Sequence, residues 1–276
     1  MTSQRYALGV VGTGHIAAVL LGRWLESGYL SAERLIVTPS RKLAAHPMAA
    51  RVAKDNAEAV RESRIVLISV TPQKFAEAAE GLRGVMTPEH LCVSVMAGVA
   101  TARVAALLGG EGIRVVRAMP NLPFGLGRGV TGLCRGQWAT QEDMEDARHL
   151  FAAGGATVAI EDERLMDAVT AVAGSGPAYF YYFVEMMMAG GVAAGLRPED
   201  AQVLAAHACV GAGAMLLEKG ASPQELRAAV TSPGGTTEAA MKTLRERGVS
   251  EHVTEAVLAA FRRGQELGRK AAGEAV

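Results

Sequence analysis

Short apolar runs alternate with Ala-rich helical stretches through the first half of the chain, and the second half is helical in pattern throughout. Strands are expected at Tyr6–Val11, Arg34–Thr38, Ile65–Val70, Leu91–Val95 and Ile113–Arg117, each closed by a Gly, Pro or small polar turn. Helices are expected from the first glycine turn through about Ser27, at Gln73–Leu82 and at Thr101–Leu108. Strands alternating with helices at this spacing build a doubly wound, parallel sheet whose carboxyl edge carries the turns. Two further runs, Val130–Cys134 and Thr157–Ile160, extend the sheet around a helix at Gln141–Ala152.

Glu161-Asp162-Glu163 is a short acidic hinge, so the chain divides into a dinucleotide-binding domain at 1–162 and an α-helical domain at 163–276. Met166–Val172 begins the helical part and leads into Gly174-Ser175-Gly176-Pro177, with Pro177 suited to a first helical turn. Pro177–Leu196 carries one charge, Glu185. Its length suits a membrane span, but that carboxylate, Gly190, Gly191 and the missing basic flank favour a buried soluble helix. Ala201–Leu217 is equally apolar and rich in Ala and Gly. Two such helices in a small domain expose too much apolar surface for a monomer, which implies a second subunit. Met186, Met187 and Met188 suit packing better than ligation. Ser222 before Pro223 reads as a helix cap, and a last helix runs from Glu251 to about Ala272.

Composition narrows the functional classes. The chain has 276 residues, 50% of them hydrophobic, with Lys+Arg 28 and Asp+Glu 28. A net charge of zero offers nothing to nucleic acid or an anionic membrane. Cys92, Cys134 and Cys209 are odd in number and far apart, and the six histidines are scattered. They form neither a disulfide frame nor a metal site, and free thiols suit a reducing, cytoplasmic compartment. The opening M-T-S-Q-R-Y runs into a strand and does not read as a signal peptide.

Two stretches carry candidate chemistry. Gly12-Thr13-Gly14-His15-Ile16-Ala17 is G-x-G-x-x-A between a strand and a helix, the context of the dinucleotide fingerprint. Gly12 makes the tight turn, Gly14 lets a pyrophosphate approach the backbone, and Ala17 stands where helix meets strand. After the second strand the chain reads Thr38-Pro39-Ser40-Arg41-Lys42 where NAD-preferring proteins keep a carboxylate. Hydroxyl and basic groups suit a 2′-phosphate, so NADP(H) is expected to be preferred, with NAD(H) as a second cofactor. The other stretch, Val230–Leu244, reads V-T-S-P-G-G-T-T-E-A-A-M-K-T-L. Its glycines free backbone N–H groups before a helix that Thr236 or Thr237 can cap, with Glu238 in the first turn. Such a helix start binds anions, and Ser232, Thr236 and Thr237 add hydroxyls suited to a small carboxylate. A capped turn between two helices would read the same way.

S-P-G-G-T-T followed by an A-x-x-x-L helix resembles the signature of the pyrroline-5-carboxylate reductases. Other motifs resemble that family in order: G-x-G-x-x-A, V-T-P-Q at Val70–Gln73, M-A-G-V at Met96–Val99, R-A-M-P-N-L-P at Arg117–Pro123 and G-S-G-P-A-Y at Gly174–Tyr179. His15, Thr71 and Leu122 stand where the family usually has Asn, Lys and Thr. The resemblance implies an α/β protein: a Rossmann-like, mostly parallel sheet followed by an all-α dimerisation domain. It implies reduction of 1-pyrroline-5-carboxylate to L-proline, the last step of proline biosynthesis, in a homodimer at least, with rings of dimers as a higher order. By the same resemblance the cofactor would meet Gly12, Gly14, His15, Ile16, Ala17, Ser40, Arg41, Asn56, Val70, Thr71, Pro72, Ala97, Gly98, Pro120 and Asn121. The substrate would meet Ser175, Ser232, Gly234, Gly235, Thr236 and Thr237, with the Thr237 hydroxyl on the ring nitrogen as the catalytic contact. A six-membered imine acid such as piperideine carboxylate remains an alternative substrate, and a non-catalytic NADP(H)-binding regulator is the alternative of another class.

Overall fold

The computed structural model describes residues 6–39, 50–218 and 220–272. Among them, eight strands form one sheet: β1 (Tyr6–Val11), β2 (Leu35–Val37), β3 (Arg51–Val52), β4 (Ser63–Ile68), β5 (Leu91–Ser94), β6 (Arg114–Pro120), β7 (Gly129–Arg135) and β8 (Gly155–Ala159). Their spatial order is β3-β2-β1-β4-β5-β6-β7-β8. All neighbours pair parallel except β6 with β7. The order reverses between β1 and β4, which makes their carboxyl ends the switch point where such sheets bind ligands.

The helices of this part are α1 (His15–Glu26), α2 (Asn56–Arg61), α3 (Phe75–Glu80), α4 (Thr101–Leu108), α5 (Gln141–Ala152) and α6 (Met166–Val169). Because side chains alternate along a strand, each central strand feeds two cores. Leu8, Val10, Ile65, Leu67, Leu91 and Val93 join one face with α1 and α5. Val11, Val66, Ile68 and Cys92 join the other with α3 and α4. Trp24, Phe124 and Phe151 meet edge to face in the first core at 5.9–6.0 Å between ring centres. The Trp24 indole N–H donates to the Leu150 carbonyl at 2.6 Å.

Strand ends differ from the sequence expectation where a partner strand decides them. Expected to end at Arg117, β6 runs on to Pro120 because antiparallel β7 pairs Pro120 with Thr131. The fourth strand starts at Ser63 rather than Ile65 because Ser63 pairs with Tyr6. The two-residue edge strand β3 has no signal in the hydrophobic pattern.

Packing groups Met1–Ser175 with Ala260–Val276 as one unit and Gly176–Ala259 as another. The sequence places its division at 162/163, at the acidic hinge. Residues 163–175 pack with the sheet because the hinge is tied down there. Arg117, 4% exposed, meets Asp167 at 3.0 Å and Glu163 at 3.6 Å. Glu163 also accepts from the Thr101 amide and hydroxyl, both at 2.7 Å, and so satisfies the start of α4.

The helical unit contains α7 (Gly176–Ala193), α8 (Pro198–Glu218), α9 (Pro223–Ala229), α10 (Thr236–Glu246) and the first part of α11 (Val249–Ala272). Pro177 lies in the first turn of α7, and Ser222 caps α9 in a reciprocal box with Glu225. In the single chain α7 and α8 leave large apolar side chains exposed, among them Phe180, Tyr182, Met187, Leu204 and Val210. Among the described residues α8 alone is long and apolar enough to cross a membrane, by length and composition. The sequence reading raised that question for the neighbouring stretch, Pro177–Leu196.

Candidate active site

The glycine turn is shaped by contact. Gly12 has φ +90, and a Cβ there would lie 2.7–2.8 Å from Val70 and the Ser69 carbonyl carbon. Only glycine fits this crossing of β1 and β4. The Gly12 amide donates to the Thr38 hydroxyl at 3.1 Å, which ties the end of β2 to the turn. Gly14 is the N-cap of α1 and supplies no capping side chain. Ala18 makes the first intrahelical bond, to Gly14, so the amides of His15, Ile16 and Ala17 stand outside the ladder. Two buried hydroxyls beside the turn, Thr13 and Ser69, have no partner within the protein. A turn with glycine at two of its three positions, free helix-start amides and orphaned hydroxyls fit a pyrophosphate.

The other positions expected to meet a cofactor lie at or after the carboxyl ends of β3, β4, β5 and β6. Asn56 opens α2 behind Asp55, whose carboxylate accepts from the Glu58 amide at 2.7 Å. Val70 touches the glycine turn, and Thr71 and Pro72 start a 3₁₀ turn. Ala97 is half-buried in the turn after β5. Gly98, with φ +73, packs on the C-terminal helix: a Cβ there would lie 2.9 Å from the Gly268 nitrogen. Pro120 ends β6 and Asn121 follows it. At the ribose end no carboxylate closes β2, where Thr38 is buried. Ser40, Arg41 and Lys42 lie outside the described residues.

The loop expected to hold a carboxylate, 232–237, belongs to the helical unit. The N-cap of α10 is Gly235, with no side-chain cap, and Thr236 and Thr237 are its first two residues. This corrects the expectation that a threonine caps the helix. The Glu238 carboxylate reaches back instead, accepting from the Gly234 amide at 2.8 Å. The Gly235 amide donates to the Ser232 carbonyl at 3.0 Å. The first intrahelical bond runs from Ala239 to Gly235, so the amides of Thr236, Thr237 and Glu238 stay outside the ladder. Capping by backbone leaves the Thr236 and Thr237 hydroxyls free of that task. Ser232, Gly234 and Thr236 are exposed, and Gly235 and Thr237 half-buried.

Ser175 ends a π-helical turn, Thr170–Gly174, and its amide donates five residues back to the Thr170 carbonyl at 2.8 Å. The sequence reading missed this turn and the carboxylates that hold Arg117. Pro177 signals only the helix start that follows the turn. No thiol is poised as a nucleophile in the sheet, since burial pushes Cys92 up to about 12 and Cys134 to about 11. Among the described residues no cluster of His, Cys, Asp or Glu could hold a metal.

Fold and glycine turn together define a dinucleotide-binding protein of the doubly wound class. Residues 163–267 match the family "Pyrroline-5-carboxylate reductase dimerisation", and residues 7–98 match "NADP oxidoreductase coenzyme F420-dependent". The chain is 37% identical to the pyrroline-5-carboxylate reductase of Methanosarcina acetivorans over 97% of its own length and 100% of that protein. It is 38% identical to that of Pseudomonas aeruginosa, over 97% and 98%. Among solved structures it is similar to the pyrroline-5-carboxylate reductase of Coxiella burnetii, with TM-score 0.87, 30% identity and coverage of 95% and 98%. It is also similar to the Plasmodium falciparum pyrroline carboxylate reductase with NADP bound, with TM-score 0.86, 25% identity and coverage of 96% and 99%. The chain belongs to the pyrroline-5-carboxylate reductase family.

Proposed function

We propose that the protein reduces 1-pyrroline-5-carboxylate to L-proline with NADPH. The observation that carries this reading is the start of α10, where the Gly235 cap leaves three amides outside the ladder and two threonine hydroxyls free of capping. Ser232 and the amides of Thr236 and Thr237 hold the substrate carboxylate, with Gly234 and Gly235 keeping side chains out of its way. The Thr237 hydroxyl bonds the ring nitrogen, and Ser175 is a further substrate contact. Gly12, Gly14, His15, Ile16, Ala17, Asn56, Val70, Thr71 and Pro72 hold the dinucleotide. Ser40 and Arg41 take its 2′-phosphate, and Ala97, Gly98, Pro120 and Asn121 form the rim at its nicotinamide end. NADPH, when bound, supplies the hydride that the imine carbon accepts as the C=N bond becomes a C–N bond, the nitrogen carrying the proton. The chain contributes orientation and charge placement, which suffice for a protonated imine.

In this reading 1–162 serves the cofactor and 163–276 the substrate and the second subunit. Pairing of the apolar faces of α7 and α8 gives a homodimer, with rings of dimers as the higher order, in the cytoplasm and without a membrane or nucleic-acid partner. NADPH oxidation by the purified protein with the five-membered imine acid tests the reading, with the six-membered piperideine carboxylate as comparison. Turnover with the five-membered ring is expected to dominate. No oxidation with either imine would end the proposal.

A further inference from the structure

The amide of Asn121 is engaged on both sides within the protein. Its Nδ2 donates to the Ala173 carbonyl at 3.1 Å, and its Oδ1 accepts from the Val130 amide at 3.0 Å. A carbonyl on one side and an N–H on the other allow only this orientation of the amide. Val130 lies in β7 and Ala173 in the π-helical turn. One side chain, 9% exposed, therefore joins the end of β6, the next strand and the turn before Ser175.

Ala173 needs this donor for a covalent reason. In a continuing α-helix the carbonyl of residue 173 accepts from the N–H of residue 177. Residue 177 is Pro177, which has none. The same segment carries the π-helical turn, a rare geometry that gathers at functional sites. The surroundings are close. A Cβ on Gly174 would lie 2.8 Å from the Met119 Cε, and one on Gly129 would lie 2.9 Å from the Asn121 Oδ1.

We propose that Asn121 is a positioning residue for Ser175: it supplies the donor that Pro177 lacks and so fixes the turn that presents the Ser175 hydroxyl to the substrate. This rests on the reading of Ser175 as a substrate contact. It gives the side chain of Asn121 a role through another residue, while its backbone stays at the cofactor rim.

The test compares Ser175→Ala, Asn121→Asp, Asn121→Ala and the double variant Asn121→Ala/Pro177→Ala. Each is measured for NADPH Kd by fluorescence, for kcat and KM with 1-pyrroline-5-carboxylate, and for melting. Asn121→Asp keeps the acceptor for Val130, loses the donor to Ala173 and sets a carboxylate oxygen against that carbonyl. It is expected to lower kcat/KM about tenfold or more, mainly through the KM of the imine, with NADPH Kd within about twofold of wild type. Pro177→Ala returns an N–H at residue 177, so the double variant is expected to recover much of the activity lost in Asn121→Ala. NADPH affinity falling in step with kcat/KM would overturn the proposal by making Asn121 a direct cofactor contact. Lower melting with normal kinetics, or a double variant no better than Asn121→Ala, would overturn it as well. An unchanged imine KM in Ser175→Ala would sink the substrate reading itself. A loss in Ser175→Ala without one in Asn121→Asp would sink only the positioning role.

Discussion

Gly98 and Gly268 meet backbone to backbone. A Cβ on Gly268 would lie 2.6 Å from the Gly98 carbonyl oxygen, and Gly264, one turn earlier on α11, packs on the Asp167 side chain. The last turns of the chain are thereby seated on the turn after β5. A methyl at residue 268 has only backbone to displace. Gly268→Ala is expected to cost about 1–3 kcal/mol by overpacking. Gly22→Ala, in open space on α1, is expected to gain about 0.5–1 kcal/mol. Calorimetric melting of both variants checks this, and equal effects would contradict it.

The role proposed for Thr237 is separable from capping. Gly235 holds the cap position of α10, so the Thr237 hydroxyl is not needed to start the helix. Thr237→Ala is therefore expected to leave stability within about 0.5 kcal/mol. Loss of the proposed bond to the ring nitrogen should lower kcat/KM roughly ten- to a thousandfold, about 1.4–4 kcal/mol. Steady-state kinetics beside thermal melting decides between them; early melting with normal turnover would return the loop to a purely structural role.

Cofactor choice is expected to turn on the residues after β2. Thr38 occupies the place of a ribose-binding carboxylate, and its hydroxyl is engaged by the Gly12 amide. NADPH is expected to give a higher kcat/KM than NADH. Arg41→Asp should lower the NADPH value about tenfold or more, since a charged hydrogen bond is worth about 1.5–3 kcal/mol. Equal use of the two cofactors by the wild type would refute the assignment.

His90 makes stability depend on pH. The Thr87 amide donates to its Nδ1 at 3.1 Å, so the fold uses the unprotonated nitrogen. Burial of the ring holds His90 below its ordinary 6.5. A depressed folded pKa means that the stabilisation is whole above about 6.5 and is lost as pH falls through the folded value. The wild type is expected to lose more melting temperature between pH 7 and pH 5 than His90→Asn, which keeps an acceptor near the same place. Parallel pH profiles for the two proteins would remove His90 as the cause.

The chain itself settled what local chemistry settles. Alternating apolar runs marked the central strands, G-x-G-x-x-A between strand and helix marked the dinucleotide turn, and Ser222 with Pro223 marked a helix start, because periodicity, φ preference and capping act within a few residues. The same locality put the carboxylate loop at a helix N-terminus, yet misplaced its cap. Gly235 and Thr236 both suit that position, and the Glu238–Gly234 bond with the Ser232–Gly235 turn selects the glycine. Tertiary structure alone decided the rest. The extension of β6 to Pro120 depends on an antiparallel partner. Docking of 163–175 on the sheet depends on the charge of Arg117 being matched across the fold by Glu163 and Asp167. The link from Asn121 to Ala173 spans 52 positions. Such contacts follow from burial, where every buried charge and carbonyl must find a partner wherever the fold brings one.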